Sequence, residues 1–352
     1  MKKKNLVVIG YGGMGRWHIR RAQNSDVVSV LGTYDILEEK RAAATEAGLY
    51  AYPSLEAVLA DPKVDIVTVA TPNDVHKEIV IAALEAGKNV ICEKPVAMNS
   101  EELLEMIATS ERTGKLFTVH QNRRWDADFL AMKQIYESDM LGEVFGIESR
   151  VQGSRGIPGD WRKEKEHGGG MLLDWGVHLI DQALQMIPEK ISSLYARFDH
   201  VTNDEVDDGF KLDLHFASGL TYRIEVGTSH FISLPRWYMT GNNGSASLQG
   251  WHDPAQVTCC KLWFEQGVVP VQTSAGLTKT MAPRNENTIS TETVAQPTAD
   301  VHDFYRNVCR AIDGKETQLI KHCELQRVMK IMEAAFLSDQ TGLPVEINDI
   351  IC

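Results

Sequence analysis

Three side chains of this sequence have the chemistry to move a proton during the oxidation of an alcohol: Lys94, Asp174 and His178. Lys94 sits in Glu93-Lys94-Pro95, directly after the apolar run Asn89 to Cys92. A lysine at a strand end can hydrogen-bond a substrate hydroxyl and help lower its pKa. Pro95 fixes the chain there, and a cis bond would hold Lys94 inward. On the tripeptide alone, a surface lysine in a strand-to-helix turn is the simpler reading. Asp174 and His178 stand at i and i+4, so on a helix they project from one face, about one turn apart. Asp181 lies close to that face, three residues on. The rest of the segment is apolar: Leu172, Leu173, Trp175, Val177, Leu179 and Ile180. Polar groups there need partners or a cleft, so they either pair with each other or meet a ligand. Gly168-Gly169-Gly170, just upstream, would let backbone approach that ligand. In a hydride-transfer site a base takes the hydroxyl proton as the carbonyl forms, and one or two donors orient the oxygen. Histidine titrates near neutral pH and suits reversible work of this kind.

Such chemistry needs a hydride acceptor, and the N-terminus supplies a place for one. Leu6 to Ile9 is a short apolar run that reads as a buried parallel strand. Gly10, Gly12 and Gly15 then fit G-x-G-x-x-G, and Arg16 to Gln23 continue as a helix. The first glycine permits the tight turn, the second lets backbone approach a pyrophosphate, and the third lets helix pack on strand. Asp35 follows Gly15 by 20 residues, at the end of a second strand over Val27 to Thr33. A carboxylate there can accept hydrogen bonds from the adenosine ribose and would repel a 2′-phosphate, which favours NAD over NADP. It can equally cap the helix that follows, Ile36 to Ala47.

The elements that must position these residues fall into two groups. Further βα units follow: a short helix over Ser54 to Ala60, a strand over Asp65 to Ala70 and a helix over Asp74 to Ala86. A strand over Asn89 to Cys92, a helix capped by Asn99 or Ser100 and ending at Gly114, and a strand over Leu116 to His120 complete the series. The expected fold class is α/β, with a doubly wound parallel sheet and right-handed crossovers. Ligands lie at the carboxyl ends of such strands, where Asp35, Thr71 to Asn73, Glu93 to Pro95 and His120 to Asn122 all fall. The cofactor-facing set is then Gly10, Tyr11, Gly12, Gly13, Met14 and Gly15 in the turn, with Asp35, Glu93 and Lys94 beside it.

After about residue 122 the pattern changes, so residues 1–122 are read as the dinucleotide-binding domain and 123–352 as a substrate-binding and oligomerisation domain. Asp126 to Tyr136 is a helix, Val144 to Gln152 a strand, and Met171 to Met186 a single helix. Phe210 to Phe216 and Leu220 to Val226 alternate apolar and polar around Ala217-Ser218-Gly219, an antiparallel hairpin with one apolar face. Short strands follow over Arg236 to Thr240, Ala246 to Gln249 and Val257 to Phe264. Residues 267 to 298 read as loop with room for one strand, and helices over Ala299 to Ile312 and Cys323 to Thr341 close the chain. The second domain is therefore α+β, a large open and mainly antiparallel sheet with helices on one face. A free sheet face is often an oligomer interface.

Bulk properties exclude several classes. The 352 residues are 43% apolar and 24% charged with a net charge of −12, which disfavours nucleic acid and anionic membrane. No stretch approaches the ~20 apolar residues of a membrane helix. The run behind Met1-Lys2-Lys3-Lys4 is too short for a secretory signal, so a cytoplasmic location is expected. The six cysteines carry no C-x-x-C and read as free thiols, and no metal-ligand spacing stands out.

The glycine fingerprint, Glu93-Lys94-Pro95 and Asp174-x-x-x-His178, in this order, resemble the glucose–fructose oxidoreductase / inositol dehydrogenase (Gfo/Idh/MocA) family over essentially the whole chain. The resemblance implies a Rossmann domain followed by a domain with a large open sheet. It also implies nicotinamide binding, oxidation of a secondary hydroxyl on a sugar or cyclitol, and a homodimer or homotetramer packed through those sheets. It makes Lys94 the catalytic lysine, Asp174 the substrate-binding aspartate and His178 the general base. Thr71, Pro72, Asn73 and His76 would lie along the cofactor. Asn122, Arg123, Trp161 and Arg162 would border the nicotinamide and the substrate. Some members instead use the cofactor in redox-neutral glycoside hydrolysis, so the motifs alone do not settle the net reaction. The strings His120 to Asp126 and Gly159 to Arg162 resemble members acting on intact hexosides, which suggests oxidation at C3 to a 3-keto sugar. Trp125, Trp161, Trp175 and Trp237 are candidate stacking platforms or plain core. Arg123, Arg124, Arg155 and Arg162 could hold a carboxylate or phosphates, which would suit a uronate or a sugar nucleotide. A cofactor sensor without chemistry has no use for Lys94, Asp174 and His178 together.

Overall fold

The computed structural model describes residues 2–264, 266–349 and 351–352. Its first layer is a five-stranded parallel sheet. β1 (Lys4–Ile9), β2 (Val28–Tyr34), β3 (Ile66–Val69), β4 (Asn89–Cys92) and β5 (Phe117–Val119) lie in the order β2-β1-β3-β4-β5. Leu6 to Ile9 are all buried, as expected of a strand covered on both faces. Helices α1 (Gly13–Gln23), α2 (Glu38–Glu46), α3 (Leu55–Ala60), α4 (His76–Glu85) and α5 (Ser100–Thr113) form the crossovers. Their ends are written in the sequence. The Ser54 hydroxyl accepts from Ala57 N–H at 3.2 Å, and the Asn99 side chain from Glu102 N–H at 2.9 Å. Gly114 terminates α5 in the left-handed region at φ 63°.

The second layer is built after α6 (Ala127–Glu137). β6 (Val144–Gln152) leads through a long loop to α7 (Val177–Met186). Then come β7 (Ile191–Asp199), β8 (Gly209–Phe216), β9 (Thr221–Gly227), β10 (Trp237–Gly241), β11 (Gly244–Leu248) and β12 (Ala255–Cys260). With β15 (Ile289–Val294) and β16 (Val345–Glu346) they form a nine-stranded sheet in the order β15-β12-β11-β10-β6-β9-β8-β7-β16, antiparallel except for the parallel pair β6–β9. The hairpin β8–β9 buries Phe210, Leu212, Leu214, Tyr222 and Ile224 on its expected apolar face.

Three differences from the sequence reading have physical causes. Residues 267–298 hold three strands rather than one: the small hairpin of β13 (Val271–Thr273) and β14 (Gly276–Thr278), and β15 (Ile289–Val294) on the sheet edge. Thr291, Glu292 and Thr293 are exposed, so an edge strand with no buried face leaves no alternation to read. The segment over 171–186 is not one α-helix: Leu172–Gly176 is a π-helical turn, with Val177 N–H bonded back to the Leu172 carbonyl. Finally, Cys323 and Cys352 form a disulfide with Cα atoms 5.8 Å apart, which corrects the reading of six free thiols. The chain's last residues return to the start of α9 (His322–Thr341), a contact across 29 residues with no local signal. Cys92, Cys259, Cys260 and Cys309 are free.

The closing helices reach back to the first sheet. From α8 (Asp303–Ile312), Tyr305 is buried against His18 of α1, and Asp313 just beyond it pairs with Lys4 at 2.7 Å. His322 of α9 hydrogen-bonds the Phe117 carbonyl oxygen through Nε2 at 2.8 Å. A short β16 (Val345–Glu346) closes the second sheet. Among the described residues no helix is long and apolar enough to cross a membrane.

Two glycines of the first turn have separable roles. A Cβ on Gly15 would overlap the carbonyl oxygen of Gly10, whereas one on Gly12 meets nothing within 4 Å. Gly15→Ala should therefore lower the unfolding free energy by about 1–3 kcal/mol. Gly12→Ala should leave it within about 0.5 kcal/mol in the same urea titration. Equal losses in both variants would refute the assignment of helix packing to Gly15 and open space to Gly12.

Candidate active site

The carboxyl ends of β1, β3, β4 and β5 line one edge of the parallel sheet. The turn after β1 leaves α1 with Gly12 as its N-cap, no side-chain cap and no acidic residue in its first turn. Uncapped N–H groups, a partial positive charge and the open space at Gly12 fit a pyrophosphate. Asp35 is partly exposed beside this turn. Its Oδ2 accepts from Tyr11 N–H at 2.7 Å and its Oδ1 from Leu37 N–H at 2.9 Å. It thus braces the glycine turn and caps the entry to α2, and each oxygen keeps a lone pair for a ribose hydroxyl.

The other expected cofactor residues divide by exposure. Thr71, Pro72 and Met14 reach the surface of the groove, as do Asn122 and Arg123 in the 3₁₀ turn Asn122–Trp125. Asn73 and His76 do not. Asn73 is buried and donates to the Gly168 carbonyl at 3.0 Å, across to the second half of the chain. His76 is fully buried, its ring nitrogens on the carbonyl oxygens of Pro95 at 3.1 Å and Thr71 at 3.0 Å. Its place is to hold two loops together. The Lys94–Pro95 peptide is cis.

Lys94 turns towards the second sheet. Its Nζ donates to the Asp174 main-chain carbonyl at 2.7 Å and to Asp174 Oδ1 at 2.9 Å. Arg162 donates from Nε to Asp174 Oδ2 at 3.1 Å and from Nη1 to Asp160 at 2.9 Å, with its guanidinium on the Trp161 ring. Burial raises the Asp174 carboxyl, but the Lys94 and Arg162 charges outweigh it and hold the group below its ordinary value. The π-helical turn is what offers carbonyl and carboxylate of the same residue to one ammonium.

His178 lies one turn on and is 4% exposed. It makes no hydrogen bond with Asp174 among the described residues, and its Nδ1 is buried without a partner. Burial, with the charges of Lys94 and Arg123, pushes its pKa well below the ordinary value of 6.5. The ring is therefore neutral at physiological pH and able to accept a proton. Trp175 packs edge-on near His178, and the Arg123 guanidinium lies over Trp175 at 4.1 Å.

Several expectations change here. The close approach at the triple glycine is made by the protein itself: side chains on Gly168, Gly169 and Gly170 would strike Asn73, the Arg162 backbone and Asp207. Asp207 instead caps the π turn, accepting from Leu172 N–H at 2.8 Å. Arg124 is consumed by Asp181, at 2.6 and 2.7 Å, and by Glu324 at 2.9 Å. Trp237 is core, bonded to Asp128 at 2.8 Å, and Trp125 packs on Phe304. Arg155 is exposed.

Glu93 does not face the groove either. Its buried Oε1 accepts from His18 at 2.6 Å and His120 at 2.8 Å, and His18 Nδ1 meets the Tyr305 hydroxyl. Burial raises the Glu93 carboxyl, but His120 and His18 hold it well below its ordinary value. His18 and Tyr305 were not singled out by sequence. A signal for His18 exists: Gly15, His18, Ile19 and Ala22 share the buried face of α1. The His18, Glu93 and His120 atoms are close enough to one another to hold a metal ion, but hydrogen-bond distances to one shared oxygen describe a proton-linked cluster.

A parallel sheet with a glycine-rich turn, whose edge lysine meets a carboxylate of the second layer, is an arrangement that a nicotinamide-dependent oxidoreductase can use. Residues 4–121 match an oxidoreductase family with an NAD-binding Rossmann fold, and residues 129–247 match the GFO/IDH/MocA C-terminal domain. An uncharacterised oxidoreductase of Schizosaccharomyces pombe, C115.03, is 32% identical over 338 residues, 88% of this chain and 90% of its own. The chain belongs to the Gfo/Idh/MocA family of oxidoreductases. The crystal structure of an NAD-binding protein from Listeria innocua has a TM-score of 0.94 at 45% identity, covering 99% of this chain and 100% of that one. The D-glucoside 3-dehydrogenase of Escherichia coli is 35% identical over 135 residues, 38% of each chain. The scyllo-inositol 2-dehydrogenase (NADP(+)) IolW of Bacillus subtilis is 31% identical over 196 residues, 51% of this chain and 54% of its own.

The pH dependence of stability follows from the buried histidines. His178, His18 and His76 are all held below 6.5, each chiefly by burial. The folded state keeps them neutral, while the unfolded chain takes up protons as pH falls through 6.5. Their contribution is complete above that value and is lost as pH drops toward the depressed folded values. The unfolding free energy from urea titration should therefore decline between about pH 7 and about pH 5. His178→Asn should show a shallower decline, and an unchanged slope would contradict the buried neutral ring.

Proposed function

We propose that this protein oxidises a secondary hydroxyl of a neutral sugar or glycoside, with NAD as hydride acceptor. The observation that carries this reading is the junction of Lys94, Asp174 and an unpaired, neutral His178 at the ligand edge of a dinucleotide-binding sheet. The turn Gly10 to Gly15 would hold the pyrophosphate, Asp35 the ribose, and Thr71 and Pro72 would flank the groove. Bound there, nicotinamide supplies the acceptor for the hydride. Lys94 has two N–H groups on Asp174 and a third free to donate to the reacting oxygen. That donation favours the developing alkoxide. His178 accepts the hydroxyl proton on its unpaired imidazole. Asp174, held ionised by Lys94 and Arg162, orients the lysine and keeps an acceptor for a neighbouring substrate hydroxyl.

Three of the four candidate arginines favour a neutral substrate. Arg123 is paired with Asp126 at 2.9 Å, Arg124 with Asp181 and Glu324, and Arg162 with Asp174 and Asp160. These three are compensated, whereas Arg155 is exposed and has no ion pair among the described residues. A glucoside oxidised at C3 fits the sequence strings around Arg123 and Trp161 and the action named for the Escherichia coli relative. The carboxylate of Asp35 favours NAD over NADP.

The test is NADH formation, read by absorbance, against glucose, alkyl and aryl glucosides, myo-inositol and glucuronate. Turnover with NAD and a neutral glycoside is expected. His178→Asn should cut kcat by about 10²–10⁴-fold while NAD affinity is retained. Turnover of glucuronate alone, or full activity in that variant, would overturn the reading.

A further inference from the structure

A cavity of about 200 Å³ opens beside Asp174 and Trp175, at the carboxyl ends of the parallel pair β6–β9. Gln152, Gly153, Gly156, Met171 and Thr228 complete most of its wall. It is smaller than the roughly 300–1,000 Å³ that encloses a drug-sized ligand, so it can enclose one sugar ring and little more. Asp174 is its one charged lining group, already paired with Lys94 and Arg162. Anything attached to the ring must leave through the rim.

That rim is a loop strapped to the cavity wall. Gly156 N–H bonds the Thr228 carbonyl at 3.0 Å, His230 N–H bonds the Gly153 carbonyl at 2.7 Å, and Leu234 N–H bonds the Gln152 side chain at 2.8 Å. Between the last two anchors stand Phe231 and Ile232, 87% and 85% exposed, with Leu234 at 50%. Adjacent large apolar side chains left in water on a tethered loop mark a contact surface. Trp263, Phe264 and Met281 are also exposed, but they come after β12, which β11 and β10 separate from β6.

We infer that the substrate is a glycoside with an apolar aglycone, held by Phe231 and Ile232 while the sugar ring fills the cavity beside Asp174. This rests on the reading under Proposed function and narrows it. Continuity with the cavity commits the patch to the substrate: the loop that carries Phe231 and Ile232 is bonded on either side of them to Gly153 and Gln152 of the cavity wall. A free sugar, polar all round, would gain nothing from them.

The experiment compares kcat/KM for phenyl and methyl glucoside with NAD, in the intact protein and in the double variant Phe231→Ser, Ile232→Ser. A preference of about tenfold or more for the phenyl glucoside is expected, expressed mainly in KM. The double variant should bring the ratio within about twofold of one. Both residues are solvent-exposed, so folding is not at stake, and an unchanged thermal midpoint verifies it. Equal kcat/KM for both glucosides in the intact protein, or a preference that survives the double variant, overturns the inference while leaving glycoside oxidation standing. A variant that changes only from dimer to monomer by light scattering also overturns it, since the patch then serves a second copy. Turnover of inositol with neither glucoside touched would overturn the parent reading and this one together.

Discussion

The contact between Lys94 and Asp174 is the constraint on which the rest of the site depends. It joins the end of β4 in one sheet to the π turn before α7 in the other, at 2.9 Å and with both side chains largely buried. Breaking a pair like this leaves an uncompensated buried charge, at about 3–5 kcal/mol, so each half of the molecule needs the other to be electrically complete. Arg162 shares the carboxylate, and Asn73 bonds across to Gly168 beside it. Lys94 is therefore aimed by the assembly of two layers and not by its own loop.

Two further polar networks hold the approach to that contact. Glu93 collects His18 from α1, His120 from the end of β5 and, through His18, Tyr305 from α8. Arg124 collects Asp181 from α7 and Glu324 from α9. Each network lies between apolar surfaces that could slide, and hydrogen-bonded charges cannot slide without being left unpaired. They tie α1 to α8 and α7 to α9 across the fold. His178 belongs to neither network: its buried Nδ1 has no partner among the described residues, as is also the case for Nε2 of His120 and Nδ1 of His230.

The order and kind of the main elements were legible in the sequence because they rest on local signals. The apolar run Leu6 to Ile9, the spacing of Gly10, Gly12 and Gly15, the caps Ser54 and Asn99 and the alternation in Phe210 to Val226 each act within a few residues of themselves. Lys94, Asp174 and His178 were legible by type and spacing. Their expected relation was not, since Asp174 pairs with Lys94 and Arg162 rather than with His178. The edge strand Ile289–Val294 left no trace because neither of its faces is buried enough to impose a pattern.

The sequence by itself thus determined a dinucleotide-binding sheet, a second open sheet and the three groups that could do the chemistry, all through periodicity and short-range spacing. Only the tertiary structure decided which polar groups meet. It sent Glu93 and His76 into the core, spent Arg124 on Asp181, filled the room around the triple glycine with Asn73 and Asp207, and paired Cys323 with Cys352. The reason is range. Burial patterns repeat along the chain and can be read from it, whereas a buried charge chooses its partner by proximity in space, across 80 residues in the case of Lys94 and Asp174.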